Sequence, residues 1–138
     1  MIFANEISGA YKDGDKIVTL QGNSIYYTEQ LADFKFTVSP FSFFQVNIPV
    51  FEKMLNEIAS FLNMDREKTT ILDICCGTGA IGICMSKWAK KVVGIELVEA
   101  AVDNAKLNVE EMNKDKIEAG KCEFHAGRAE VLLPEISK

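Results

Sequence analysis

Hydrophobic positions change their period once along the chain. Up to residue 46 they alternate, in the runs Lys16-Ile-Val-Thr-Leu20, Ser24-Ile-Tyr-Tyr-Thr28 and Phe34-Lys-Phe-Thr-Val38, all rich in β-branched and aromatic residues. Gly14-Asp15 and Gly22-Asn23 separate these runs and Ser39-Pro40 ends them, so the pattern predicts strands or hairpins closed by turns. From Asn47 the period becomes helical: Phe51, Met54, Leu55, Ile58, Phe61 and Leu62 share one face, with Asn47 as N-cap and Pro49 tolerated in the first turn. The spacing predicts a helix from Asn47 to about Asn63.

A different unit follows and repeats. Thr70-Ile-Leu-Asp-Ile-Cys75 reads as a buried strand that enters Gly77-Thr-Gly79 and continues as a helix from Ala80 to Trp88. Lys91-Val-Val-Gly-Ile95, ending in Glu96, is a second strand, followed by a helix from Glu99 to about Met112. Lys121-Cys-Glu-Phe-His-Ala126 is a third strand, and Ala129-Glu-Val-Leu-Leu133 opens another helix before Pro134. Alternation at this spacing predicts parallel βαβ units, hence an α/β sheet covered by helices. The chain divides into a β-rich N-terminal appendage, residues 1–46, and an α/β part, residues 47–138. Doubly wound sheets have about six strands and only three core strands are visible, so the α/β part is expected to be the N-terminal portion of a larger domain.

Composition narrows the class. With 138 residues, 48% hydrophobic and 25% charged, the chain fits one globular domain able to bury a core. No apolar run approaches the roughly 18 residues of a membrane span, and no secretory signal is visible, so an intracellular place, cytoplasmic or nuclear, is expected. Fifteen basic residues against twenty acidic ones give a charge of −5, an acidic balance for a domain whose main task would be gripping phosphate backbone. Cys75, Cys76, Cys84 and Cys122 form neither a disulfide framework nor a zinc pattern, and His125 near Cys122 makes a poor metal site. No metal and no membrane partner is expected.

Ligands of open parallel sheets sit beyond the carboxyl ends of the strands. Those ends hold Asp73 to Gly79, then Glu96, then Gly127-Arg128. Gly77 and Gly79 permit a tight turn and close backbone approach. Glu96 follows Asp73 by 96 − 73 = 23 positions, near the separation at which an acid accepts ribose hydroxyls. Gly77-Thr-Gly79-Ala-Ile-Gly82 also satisfies the dinucleotide pattern, so an NAD-dependent oxidoreductase stays open. A carboxylate at Asp73 repels a pyrophosphate and favours the cationic amine and sulfonium of S-adenosyl-L-methionine. Bland readings exist too: the phenylalanines near residue 43 as a hydrophobic seam, Asp73 as a turn cap, Glu96 as a solvated strand end.

Phe41-Ser-Phe-Phe-Gln45-Val-Asn47, Leu72-Asp-Ile-Cys-Cys-Gly-Thr-Gly79, Val93-Gly-Ile-Glu96 and Cys122-Glu-Phe-His-Ala-Gly-Arg-Ala-Glu130 resemble the RNA 5-methyluridine (uracil-5-)-methyltransferases, nearest the eukaryotic tRNA branch. The resemblance covers roughly residues 31–134. The glycine loop is generic, whereas the Ser39-Pro-Phe-Ser-Phe-Phe-Gln45-Val-Asn47 run is specific to RNA uridine methylation. It implies a partial Rossmann-like class I S-adenosylmethionine-dependent methyltransferase fold and a function in methylating C5 of uridine, with tRNA as the RNA partner. By resemblance Gln45 contacts the cofactor, Cys75, Cys76, Gly77, Thr78 and Gly79 form its loop, Glu96 holds the ribose, and Arg128 lies on the adenine side with Glu130 as an alternative; Asp73, by its charge ahead of the loop, is expected to receive the cofactor's ammonium. Ala80 replaces an asparagine that touches the cofactor in bacterial relatives. The family's nucleophilic cysteine and its base fall beyond residue 138, and no Asp-Pro-Pro loop occurs here. The fragment alone is therefore expected to be inactive, and a noncatalytic cofactor- or partner-binding module is the alternative.

Overall fold

The computed structural model describes residues 10–13, 16–19, 26–39 and 42–136. Strands β1 (Ala10–Asp13) and β2 (Lys16–Thr19) pair antiparallel, with Ala10 opposite Thr19. Strands β3 (Tyr27–Leu31) and β4 (Phe34–Val38) form a second hairpin. Of the strand expected over residues 24–28, Tyr27 and Thr28 belong to β3, which runs on to Leu31. Its turn is Ala32-Asp33, which carries no glycine; Ala32 takes φ +52 and donates its amide to the Glu52 carboxylate. The expected turns at Gly14-Asp15 and Gly22-Asn23, and Leu20, Ser24, Ile25, Pro40 and Phe41, lie outside the described residues.

Helix α1 (Ile48–Phe61) begins where the sequence places it, with Asn47 Oδ1 accepting the Val50 amide. Its buried stripe is Phe51, Leu55 and Ala59, four residues apart; Met54, Phe61 and Leu62, expected on the same face, are exposed. Three parallel strands follow, β5 (Thr70–Ile74), β6 (Lys91–Glu96) and β7 (Cys122–Ala126), in spatial order β5-β6-β7. The register sets Thr70 against Lys91 and Val92 against Cys122. Between them run α2 (Ala80–Met85), continued by a 3-10 turn Ser86–Trp88, and α3 (Glu99–Glu110); α4 (Ala129–Ile136) follows β7. This last helix continues through Pro134, where the sequence predicts a break, and gives up one amide there.

One hydrophobic cluster joins the hairpin to the sheet: Leu31, Phe36 and Val38 share it with Leu55, Ile83, Val92, Val102 and Phe124. Each such side chain contributes about 1.5–3 kcal/mol by burial. Polar pins finish the join. The outer edge of β4 meets two buried asparagines instead of a third strand. Asn113 Oδ1 accepts the Lys35 amide at 2.9 Å while its Nδ2 donates to the Lys35 carbonyl at 2.7 Å. Asn108 Oδ1 accepts the Thr37 amide at 2.8 Å, and its Nδ2 donates to the Thr78 carbonyl at 3.3 Å. The side-chain amides act as a surrogate strand and satisfy an edge that burial would otherwise leave unpaired. They also tie the hairpin to the glycine loop.

Candidate functional site

Beyond the carboxyl ends of β5 and β6 the backbone leaves the sheet through a loop of unusual torsions. Cys75 has φ +61, Gly77 +56 and Gly79 +79. The Cys76 amide still donates to the Ile95 carbonyl at 3.1 Å, and the Gly79 amide turns back to the Cys76 carbonyl at 2.9 Å. The loop is therefore fixed by its own turn and by a bond to β6. It forms one wall of a cavity of about 640 Å³, a size usual for small-molecule sites.

The three glycines do different work. A Cβ on Gly77 would meet nothing within 4 Å, so this residue presents open backbone to the cavity it lines. A Cβ on Gly79 would stand 2.9 Å from Phe124 Cζ, and one on Gly82 2.8 Å from Val92 Cγ1. Those two glycines let α2 lie close on the sheet.

Glu96 is the acid of the cavity wall. Its Oε2 accepts the Gly77 amide and its Oε1 the Val98 amide, both at 3.0 Å. A carboxylate has about four acceptor positions, so each oxygen keeps capacity for a ligand hydroxyl. No lysine or arginine lines the cavity among the described residues. A pyrophosphate would face this carboxylate without a cation and would find the Gly77 amide already taken, whereas a cationic ligand is attracted. The dinucleotide alternative is not favoured.

Of the residues expected from sequence, the structure brings Gln45, Cys75, Cys76, Gly77, Thr78 and Glu96 to this one cavity. It does not bring Asp73, Gly79 or Arg128 to the lining. Asp73 Oδ2 instead accepts the Gly82 amide at 3.0 Å, capping the first turn of α2. Burial raises the Asp73 carboxyl above its ordinary range, and the Gly82 bond opposes this in part. Arg128 is exposed and pairs with Glu130 at 2.8 Å. Cys75 is exposed, while burial, followed by the charges of Asp73 and Glu96, pushes the Cys76 thiol up to about 12. A thiol so placed is a poor nucleophile at neutral pH.

Sequence reading missed part of the wall. Tyr26 and Ser42 line it, Phe43 stands 79% exposed at its rim, and buried Phe44 packs on Phe36 with ring centroids 5.5 Å apart. From α3 come Ala100, Ala101 and Asn104. Asn104 is buried and its Oδ1 has no hydrogen-bond partner. The available signal was spacing: Asn104 and Asn108 stand four positions apart on the face that also carries Ala101 and Ala105.

Comparison with known proteins places this arrangement. The sequence profile of the family described as tRNA (Uracil-5-)-methyltransferase matches residues 10–123. A tRNA (uracil-5-)-methyltransferase homolog B from Danio rerio is 46% identical over 117 residues, which make up 85% of this chain and 23% of that protein. An uncharacterized RNA methyltransferase from Clostridium acetobutylicum is 46% identical over 91% of this chain and 26% of its own length. The chain spans about a quarter of the length of these relatives. Among solved structures, Pyrococcus abyssi tRNA (uracil-54, C5)-methyltransferase in complex with S-adenosyl-L-homocysteine superimposes with TM-score 0.61 at 27% identity, covering 78% of this chain and 25% of that one. The M. jannaschii tRNA m1G37 methyltransferase gives TM-score 0.61 at 19% identity over 81% of this chain and 33% of its own, a likeness of fold alone. The fold is thus part of the Rossmann-like class I methyltransferase architecture. With its glycine loop, strand-end acid and matching profile, the chain belongs to the tRNA (uracil-5-)-methyltransferase family.

Proposed function

We propose that this chain is the S-adenosylmethionine-binding portion of an RNA methyltransferase that methylates C5 of uridine, with tRNA as substrate. The observation that carries the reading is the cavity itself. Its only charged lining residue among those described is Glu96, and that carboxylate is held beside the open backbone of Gly77. The site fits an adenosyl amino acid: Glu96 offers acceptors to two ribose hydroxyls, Gly77 leaves room for close approach, and the buried Asn104 oxygen awaits a donor.

Bound there, S-adenosylmethionine supplies an electrophilic methyl group. The chain's own residues bind and orient. Glu96 fixes the loop through Gly77 and Val98, Gln45 closes the cavity from the segment before α1, and Phe44 anchors that segment by packing on Phe36. None of the buried thiols suits attack on a pyrimidine: burial pushes Cys76 and Cys84 to about 12 and Cys122 to about 11. Cofactor binding, with no attack from these three thiols, is therefore expected of the isolated chain. The acidic balance of −5 supports a grip on RNA supplied largely by other parts of the full protein.

Calorimetric titration of S-adenosylmethionine into the chain and into Glu96→Ala tests this. Hydrogen bonds to a charged group contribute about 1.5–3 kcal/mol each, so loss of the acid is expected to weaken binding by roughly tenfold or more. Equal affinity for both proteins, or none for either, refutes the proposal.

A further inference from the structure

The cavity holds one acceptor that the protein leaves unsatisfied. Asn104 lies on the inward face of α3, is 7% exposed and lines the cavity beside Gly77 and Thr78. Its Oδ1 is the sole buried side-chain nitrogen or oxygen without a hydrogen-bond partner among the described residues. The neighbouring asparagines show the contrast. Asn108, one turn further along, uses both ends of its amide, on Thr37 and Thr78, and Asn113 uses both on Lys35. A fold that pairs the other buried amides of this layer so completely leaves a buried Oδ1 unpaired on Asn104, the one of the three that lines the cavity. Buried polar groups are satisfied in the great majority of cases, and the exceptions require a reason.

We infer that Asn104 is a ligand-binding residue of this site, its Oδ1 accepting a hydrogen bond from an N–H or O–H of the bound adenosyl amino acid. The inference rests on the cofactor reading above and extends it to a residue on α3. An amide oxygen accepts and cannot donate, so it selects a donor. The ligand offers an ammonium, two ribose hydroxyls and the adenine 6-amino group. Glu96 holds acceptors for the hydroxyls at the end of β6, and Asn104 adds a neutral acceptor from α3 to the same cavity. A neutral group there avoids burying a second carboxylate near Glu96, which would cost desolvation and like-charge repulsion.

Asn104→Leu keeps the side chain's approximate volume and removes the acceptor. If Oδ1 serves the ligand, the variant without ligand melts at or above the wild-type temperature, because an unpaired buried polar atom has gone. Its affinity for S-adenosylhomocysteine falls by roughly tenfold to a hundredfold. Asn104→Asp, which keeps an oxygen acceptor, retains more of that affinity than Asn104→Leu. 5′-Methylthioadenosine separates the ammonium from the adenosine donors, since it lacks the first and keeps the ribose hydroxyls and the adenine amino group. A leucine penalty confined to S-adenosylhomocysteine identifies the ammonium, and an equal penalty on both ligands identifies a donor of the adenosine part, a ribose hydroxyl or the adenine amino group. Either result supports the inference.

Unchanged affinity in Asn104→Leu overturns it, as does a variant that unfolds, which would assign the amide to the fold. Glu96→Ala keeps the two proposals apart. Binding that is lost in Glu96→Ala and intact in Asn104→Leu removes this inference alone, whereas a wild-type chain that binds neither ligand removes both.

Discussion

Gly77→Ala and Gly79→Ala perturb the same loop and are expected to fail in opposite ways. Both glycines hold positive φ, +56 and +79, so a Cβ costs each about 1–2 kcal/mol of backbone strain. Only Gly79 adds a collision, with Phe124 Cζ at 2.9 Å and Ile83 Cδ1 at 3.1 Å. Both partners are buried, and overpacking of this kind costs a further ~1–3 kcal/mol. The totals are about 1–2 kcal/mol for Gly77→Ala and about 2–5 kcal/mol for Gly79→Ala. Urea unfolding followed by the single tryptophan, Trp88, measures the difference. With a slope of about 1–3 kcal/mol per molar urea, Gly79→Ala lowers the midpoint by roughly 1 M or more. Binding inverts the order. The Gly77 methyl projects from a cavity-lining residue into open space, so Gly77→Ala loses S-adenosylhomocysteine affinity out of proportion to its stability loss. Equal destabilisation by the two variants, or undiminished binding by Gly77→Ala, refutes the division of labour between the glycines.

Asp73→Ala leaves the Gly82 amide without its acceptor and is expected to cost about 0.5–2 kcal/mol in urea unfolding, whereas Asp73→Asn keeps an oxygen there and is expected to hold or gain stability at neutral pH. Burial holds the folded Asp73 carboxyl above its ordinary value of 3.8, so the folded state binds that proton more tightly than the unfolded one. Stability from this group therefore falls as pH rises through the window between the two values, and wild type should lose ground to Asp73→Asn across that window and level off above it; a gap that narrows with rising pH contradicts the assignment. Titration of the native chain with a thiol reagent should label Cys75 fast, and the buried Cys76, Cys84 and Cys122 only after urea is added; rapid reaction of all four disproves the burial. Asn113→Ala strips the Lys35 amide and carbonyl of their partners and should cost about 2 kcal/mol or more; a loss below half of that, read from the same urea curves, removes the surrogate-strand account.

Local pattern carried α1, the three parallel strands and the helices that follow them, but it missed β1 and the reach of β3 to Leu31. Period and capping placed α1 after Asn47, and three apolar runs alternating with helical ones required a parallel sheet with its ligand site at the strand ends. It also pointed to Glu96 and the Cys75 to Thr78 stretch, which the structure gathers at one cavity, because short-range pattern and strand-end position are written locally. The turn at Ala32-Asp33 was not legible, since Ala32 adopts φ +52 under a tertiary restraint from Glu52 and carries no glycine to announce it. The tertiary structure alone decided which carboxylate serves which purpose. Asp73 and Glu96 are equivalent as letters ahead of and behind a glycine turn. Packing of α2 on β5 gives Asp73 the Gly82 amide, and the curl of the loop across β6 gives Glu96 the cavity. The same holds for the asparagines of α3. Their helical spacing shows a shared face, but which amides find partners depends on where β4 and the glycine loop end, a geometry fixed only when distant segments close on one another.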